Sequence, residues 1–299
     1  MPSVVAVDLG GTKLSAALVD ATGAVSCRTK IPAVTGEVRA SVAQIAQVVD
    51  EVLTSSRMSR NEIRAIGIIV PGIYFAAAGE AWAPNLWGHA NVPLRAELER
   101  MLHLPIQIES DRAGYVTGER WLGAARGLND IVFLAVGTGI GAGIIAGGNL
   151  VRGAHDISGA VGWFALNPDH RAIYRDVGCW EAETAGPALA RRIGARSAED
   201  VVERARHGDA VALKAVEESA LYLGMGVANI VSILNPEMVV LGGGLMQAAD
   251  LFLDPICHTV AEWAQPVAAK QVQITVTQLG EDAGLLGAAR LALGELATQ

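Results

Sequence analysis

A strand, a glycine turn and a returning strand follow one another twice in this chain, and that repetition limits what it can fold into. The first copy runs from Val4-Val5-Ala6-Val7 through Asp8-Leu9-Gly10-Gly11-Thr12-Lys13 to Ala16-Ala17-Leu18-Val19. The second runs from Ile131–Val136 through Gly137-Thr138-Gly139-Ile140-Gly141-Ala142-Gly143 to a strand over Ile144–Ala146. The duplication is one of architecture, not of sequence. Glycines let backbone N–H groups approach an anion closely. Thr12 adds a hydroxyl, Lys13 a cation and Asp8 a carboxylate at the strand end. Taken alone, the first copy also reads as an ordinary hairpin with a charged turn.

A further glycine turn, Gly242-Gly243-Gly244, ends the apolar strand Met238–Leu241. Three such turns spread over two lobes suggest a nucleotide held across an interlobe cleft, two turns on phosphates and one leaving room for a base. Glycine at hairpins and strand ends is the plain alternative. A dinucleotide site of the Rossmann type is disfavoured, because there the turn opens into a helix and here two of the turns open into strands. No GxxxxGK[ST] phosphate loop is present.

Between the turns the chain alternates strands and helices. Strands are predicted at 3–8, 14–20, 24–31, 66–70, 105–108, 238–241 and 273–277. Helices are predicted at 38–56, at 92–103 with Asn91 as N-cap, and at 112–124, 179–193, 197–207, 209–234 and 282–295. The expected organisation is a first α/β lobe over 1–118, a second over 119–287, and a C-terminal helix, 288–299, packing back on the first.

The formal charge of −8 and the absence of a basic run argue against nucleic acid as the main partner and against a long polyanion as phosphate donor. Three widely spaced cysteines, Cys27, Cys179 and Cys257, suit a reducing compartment better than a disulfide framework. With no apolar leader at the start and no uncharged run of membrane-spanning length, a soluble cytoplasmic protein without membrane contact is expected. Phosphoryl transfer needs a group to take the acceptor's proton. Asp111, after a strand and before a helix, is the candidate; a simple helix N-cap is the competing reading of the same position.

These motifs together resemble the ROK family of repressors, open reading frames and sugar kinases. The resemblance rests on Asp8–Lys13, Pro71-Gly72, Ala83-Pro84-Asn85-Leu86, Asp111 with Gly118-Glu119, Gly137–Gly141, Val239–Gly244 and Asp282–Ala289, in order along nearly the whole chain. It implies two ribonuclease-H-like lobes of the actin-like ATPase fold. It implies ATP- and Mg²⁺-dependent phosphorylation of a sugar hydroxyl, usually the 6-OH of an aldohexose, with Asp111 as general base. Gly10, Gly11, Thr12 and Lys13 would line the phosphates and Asp8 would face Mg²⁺ through water. Thr138 and Gly139 would hold the other side of the phosphates, and Gly243 and Gly244 would border the adenosine. Gly72, Asn85, Ser110 and Asp111 would meet the sugar. A homodimer is common in the family, and the apolar stretch Leu221–Leu234 suits either core or interface. Some members carry a helix-turn-helix ahead of the kinase-like body; this sequence opens on its first strand, so DNA binding is not expected.

The departures from the family pattern cluster on the acceptor side. Ser110-Asp111 stands where Asn-Asp is usual. Gly159-Ala160-Val161-Gly162-Trp163 stands where the family has Gly-Glu-x-Gly-His, so a carboxylate and an imidazole are replaced by a methyl and an indole. Losing a hydrogen bond to a charged group costs about 1.5–3 kcal/mol. His155 and Asp156 are candidate replacements, and Trp163 is placed either on a sugar face or in the core. Glu181 matches the family's remaining sugar-binding glutamate, or is a first-turn helix acid. At the positions of the family's zinc ligands stand Ala172, Tyr174, Cys179 and Trp163. One thiol cannot make a tetrahedral structural site. No zinc is expected there, and an apolar cluster of Trp163, Tyr174 and Trp180 is expected in its place. A sugar kinase with an altered acceptor pocket is the leading reading; a catalytically weak sugar or nucleotide sensor and an ATPase acting on a non-sugar substrate are the alternatives.

Overall fold

The computed structural model describes residues 2–294. The chain divides into two units, one of Met1–Gly127, Arg152–Ile157 and Leu279–Gln299, the other of Leu128–Val151 and Ser158–Gln278. In chain order the elements begin with β1 (Ser3–Leu9), β2 (Lys13–Asp20), β3 (Val25–Pro32), α1 (Val38–Ser56), β4 (Ile63–Val70), β5 (Ile73–Phe75), β6 (Glu80–Trp82), α2 (Pro84–Trp87), α3 (Leu94–Leu102), β7 (Ile106–Ser110) and α4 (Asp111–Leu122). They continue with β8 (Ile131–Val136), β9 (Ile140–Ala146), β10 (Asn149–Leu150), α5 (Tyr174–Val177), α6 (Cys179–Thr184), α7 (Gly186–Ile193), α8 (Ala198–Arg206) and α9 (Ala210–Leu234). The last are β11 (Met238–Gly242), α10 (Ala249–Trp263), α11 (Pro266–Gln271), β12 (Gln273–Val276) and α12 (Ala283–Gly294).

The first unit is built on a five-stranded sheet of order β3-β2-β1-β4-β7. β1 pairs antiparallel with β2 and parallel with β4, and β4 runs parallel to β7. β1 is apolar on both faces, and its alternate residues enter different cores. Val5, Val7 and Leu9 pack with Val42, Ile45 and Val49 of α1, while Val4 and Ala6 pack with Leu285, Ala288 and Ala289 of α12. A strand buried on both sides reads as a continuous apolar run, which is how β1 appears in the sequence.

The second unit repeats the topology with the order β10-β9-β8-β11-β12. β8 and β9 are antiparallel, and β8, β11 and β12 are parallel. One face of this sheet, through Val132, Leu134, Val239 and Leu241, shares a core with Leu223, Val227 and Val231 of α9, with Trp180 and with Phe252 of α10. Asp209 caps α9, its carboxylate accepting from the amides of Val211 and Ala212. Leu221 and Ile233, on the same helix, face outward.

Several expectations need correction. The boundary placed after residue 118 falls inside α4, which cannot be divided because Gly118 packs directly on α12, so residues up to 127 stay with the first unit. Residues 279–287 belong to the first unit as well, because α12 lies on β1. The part of the predicted terminal helix beyond residue 294 lies outside the described residues. Asn91 does not cap α3: the helix starts at Leu94 behind Pro93, and the Asn91 amide donates to Glu80 instead. The stretch 179–193 is two helices, with Ala185 extended between them. The helices α10 and α11 were not anticipated. Among the described residues no helix is long and apolar enough to cross a membrane.

α4 and α12 pack backbone to backbone. A Cβ on Gly287 would lie 1.9 Å from the carbonyl oxygen of Gly114. Overpacking of this kind costs about 1–3 kcal/mol or more, so Gly287→Ala is expected to lower the unfolding free energy by that much, read as a lower midpoint in an equilibrium denaturant titration.

Candidate functional site

Parallel pairing sets the C-terminal strand ends of the first sheet in line. Asp8 of β1 is level with Ile69, and Val70 of β4 is level with Ser110 of β7. Asp8, the Pro71-Gly72 turn and Asp111 therefore share one edge. The turn after β1 is closed by the Gly10 amide donating to the Lys13 carbonyl at 2.8 Å. Gly11, Thr12 and Lys13 are exposed, and a Cβ on Gly11 would meet nothing within 4 Å. The turn is thus an open surface of amides, hydroxyl and ammonium.

Asp8 beside it is half-buried, with its Oδ1 shielded from solvent. Its Oδ1 has no hydrogen-bond partner, and a Cβ on Gly284 would sit 2.1 Å from its Oδ2. Burial, reinforced by the charge of Asp111 and opposed by Lys30, pushes its pKa to about 7. An orphaned buried carboxylate oxygen beside a phosphate-type turn fits the surroundings of a hard divalent cation, directly or through water. Burial likewise pushes Asp111 to about 6, opposed by Arg112. Its carboxylate accepts from the Arg112 amide at 2.7 Å. The N-cap role belongs to Ser110, whose hydroxyl accepts from the Ala113 amide at 3.4 Å, so Asp111 is the first residue of the helix and its carboxylate is not spent on the cap.

Gly72 has φ +88°, and its carbonyl accepts from the Arg112 guanidinium at 3.0 Å. Asn85 in α2 is exposed. His155 is exposed on the segment Arg152–Ile157, which belongs to the first unit although the chain on both sides of it belongs to the second. Two contacts hold that segment. Arg152 pairs with the buried Glu109 of β7, and the Asp156 carboxylate accepts from the Ala76 amide at 3.2 Å. Asp156 takes a left-handed backbone, φ +58°.

In the second unit, register places Gly242 of β11 beside Ala135 of β8, so the turns after the two strands are neighbours. A Cβ on Gly137 would lie 3.6 Å from the Gly244 amide nitrogen. Thr138 is exposed, and Gly243, at φ +90°, opens a 3₁₀ turn. Glu181 supports this edge from α6: its Oε2 accepts from the Ile140 amide at 2.8 Å and would lie 2.7 Å from a Cβ on Gly139. The sequence therefore placed Gly137–Gly139, Gly243-Gly244 and Glu181 in regions that the fold brings together.

The expected apolar cluster of Trp163, Tyr174 and Trp180 does not form. Trp163 is 57% exposed and borders a pocket of about 590 Å³ with Leu166, Asn167, His170 and Cys179. Trp180 is buried in the main core of the unit, stacked on Phe164 at 5.6 Å. Tyr174 packs with Cys179 and Ala182, and its hydroxyl donates to the carboxylate of Glu183. Glu183 is 2% exposed and also meets Arg171 at 3.0 Å, while Arg192 donates to its backbone carbonyl at 2.7 Å. A methyl, an indole, a hydrogen-bonded phenol and one thiol do not make a zinc donor set. The polar brace from α5 to α6 was invisible in the sequence because Tyr174 and Glu183 are each unremarkable alone.

Two outcomes follow for stability. Tyr174→Phe leaves a buried carboxylate short of a donor and is expected to cost about 1–3 kcal/mol in a denaturant titration, with the midpoint of the parent protein unmoved by a zinc chelator. For Asp8, the ordinary pKa is 3.8 and the folded value about 7, so across that window the folded protein keeps a proton that the unfolded chain has released. Stability therefore falls as pH rises through it, and the melting temperature of Asp8→Asn relative to the parent should climb between about pH 4 and pH 7 in metal-free buffer.

The sequence profile described as "ROK family" matches residues 4–295. The glucokinase of Streptomyces coelicolor is 32% identical, the match covering 98% of this chain and 98% of that protein. A xylose repressor of Caldicellulosiruptor bescii is 28% identical, over 98% of this chain and 79% of its own length. Among solved structures, a ROK family glucokinase from Streptomyces griseus in complex with glucose and AMPPNP is similar with a TM-score of 0.82 and 29% identity, covering 98% of this chain and 99% of that one. The two sheets and this likeness give the chain the α/β actin-like ATPase fold. The chain belongs to the ROK family.

Proposed function

We propose that this protein is an ATP-dependent sugar kinase, transferring the γ-phosphoryl group to a hydroxyl of a hexose or modified hexose at its 6-position. One observation carries the reading: a carboxylate at the end of β7, free of capping duty and buried enough to be raised to about 6, shares a strand edge with an open glycine turn. A group poised near neutrality suits a general base. The glucokinase relatives support the class of reaction.

In this reading Asp111 accepts the proton of the attacking hydroxyl. The Arg112 amide fixes the carboxylate's orientation and Ser110 offers its hydroxyl proton to the sugar. Gly72, Asn85, His155, Trp163 and Glu181 are the remaining acceptor-side residues. Gly10, Gly11, Thr12 and Lys13 bind phosphate oxygens, and Thr138, Gly139, Gly243 and Gly244 are assigned to the nucleotide. Asp8 is the residue that would hold Mg²⁺ bound with ATP, and the ion would supply neutralisation of the developing phosphate charge. The rate then comes from positioning and electrostatics rather than covalent chemistry.

Asp111→Asn is expected to lower kcat by about 100-fold or more, because general-base catalysis is worth that much. The check is ADP release across a panel of sugars with ATP and Mg²⁺. Ionisation of the raised Asp111 makes kcat/KM of the parent increase with pH through about 6, and this limb should vanish in Asp111→Asn. Tight sugar binding with no turnover on any acceptor would favour the sensor reading, which the repressor relative and the replaced acceptor residues Ala160 and Trp163 motivate.

A further inference from the structure

Arg112 is a cation in an unfavourable place. It lies in the first turn of α4, where the helix dipole disfavours positive charge, and it is partly buried. Burial pulls its pKa below the ordinary guanidinium value, with Asp111 opposing. Guanidinium groups in such positions are ordinarily matched by a carboxylate. Asp111 acts on it through charge alone, without a side-chain hydrogen bond, and several other carboxylates of this unit are committed elsewhere. Glu109 pairs with Arg152, Asp282 with Arg28 at 2.5 Å, Glu281 with Lys30 at 2.6 Å, and Asp156 accepts from the Ala76 amide. Among the described residues, no carboxylate lies within salt-bridge distance of Arg112, and the hydrogen bond of its side chain goes to the Gly72 carbonyl. That bond uses one Nη2 hydrogen. The rest of a planar five-donor fork, suited to two-point capture of carboxylate or phosphate oxygens, is left over.

We propose that Arg112 receives an oxyanion beside Asp111, and that the acceptor of this kinase is an anionic sugar, one carrying a carboxylate or phosphate substituent. The inference rests on the kinase reading above for the meaning of Asp111 as the acceptor side. The Gly72 tether fixes the guanidinium plane, so the ligand meets a pre-oriented fork instead of a mobile chain. Arg112 is a specificity residue in this account and takes no proton.

The test uses the full chain and acceptors with a free 6-hydroxyl: gluconate and glucose 1-phosphate as anions, glucose and N-acetylglucosamine as neutral counterparts. Binding is read by calorimetry without nucleotide, and turnover by ADP release. The parent is expected to bind an anionic sugar about tenfold or more tighter than its neutral counterpart, the scale of a charged hydrogen bond. Arg112→Gln should erase that preference and Arg112→Lys should keep part of it, with melting curves confirming that both variants fold. The other source of an oxyanion is the phosphoryl in transfer. In that case the sugars bind alike, and Arg112→Gln lowers kcat on glucose at unchanged KM. If Arg112→Gln alters neither the binding preference nor kcat, the guanidinium has no anion to hold and the proposal is overturned. Anion-selective binding that depends on Arg112, without turnover on any acceptor, would instead remove the kinase reading and leave the oxyanion site standing.

Discussion

Desolvation of carboxylates at the strand edge is the constraint on which the first unit depends. β1 is covered on both faces by apolar side chains, so the chain's polar chemistry is confined to the strand's end. There Asp8 and Asp111 are both half-buried and both raised by desolvation, and Asp111 adds to the shift at Asp8. Desolvation and mutual repulsion set this pair apart from ordinary surface carboxylates, and Lys30 and Arg112 only partly offset the shift. Gly284 follows from the same constraint, because any side chain there would occupy the space of the Asp8 carboxylate.

The second unit shapes the corresponding strand edge by other means. Its topology matches the first, but its strand ends carry backbone amides in place of carboxylates. The register of β8 with β11 brings Gly137 and Gly244 together. Glu181 ties the first of these turns to α6 through the Ile140 amide. The far side of α6 is fixed by Glu183, held by Tyr174, Arg171 and Arg192. A short helix of six residues has little stability of its own, so the brace around Glu183 is what keeps Glu181 in register with the turn.

The glycine turns, the buried strands and Asp111 were legible in the sequence because each depends on local pattern. Apolar runs ended by glycine announce strand ends whatever the tertiary surroundings. What local pattern could not settle was competition between equivalent choices. Ser110 and Asp111 are both good N-caps, and the length of β7 decided for Ser110. Asn91 is a good cap too, but Pro93 stands between it and α3, and Glu80 offered its amide another partner. Trp163 and Trp180 are both large aromatics in one segment. Only the third dimension shows that Gly226 leaves room for the indole of Trp180, while Trp163 turns outward.

An arginine beside an aspartate suggests a local ion pair in the sequence, yet the Arg112 side chain turns to the Gly72 carbonyl and meets Asp111 through charge alone. Where the family pattern carries a glutamate, Ala160 removes a negative charge; where it carries a histidine, Trp163 removes a hydrogen-bonding ring. Arg112 adds a positive charge beside Asp111, and Glu109 pairs with Arg152. In the anionic-sugar proposal, Ala160 takes away a carboxylate that would repel the ligand and Arg112 supplies a guanidinium that attracts it. Specificity built by removing a clash and adding a contact at once is the economical way to separate two ligands that differ by a single charged group.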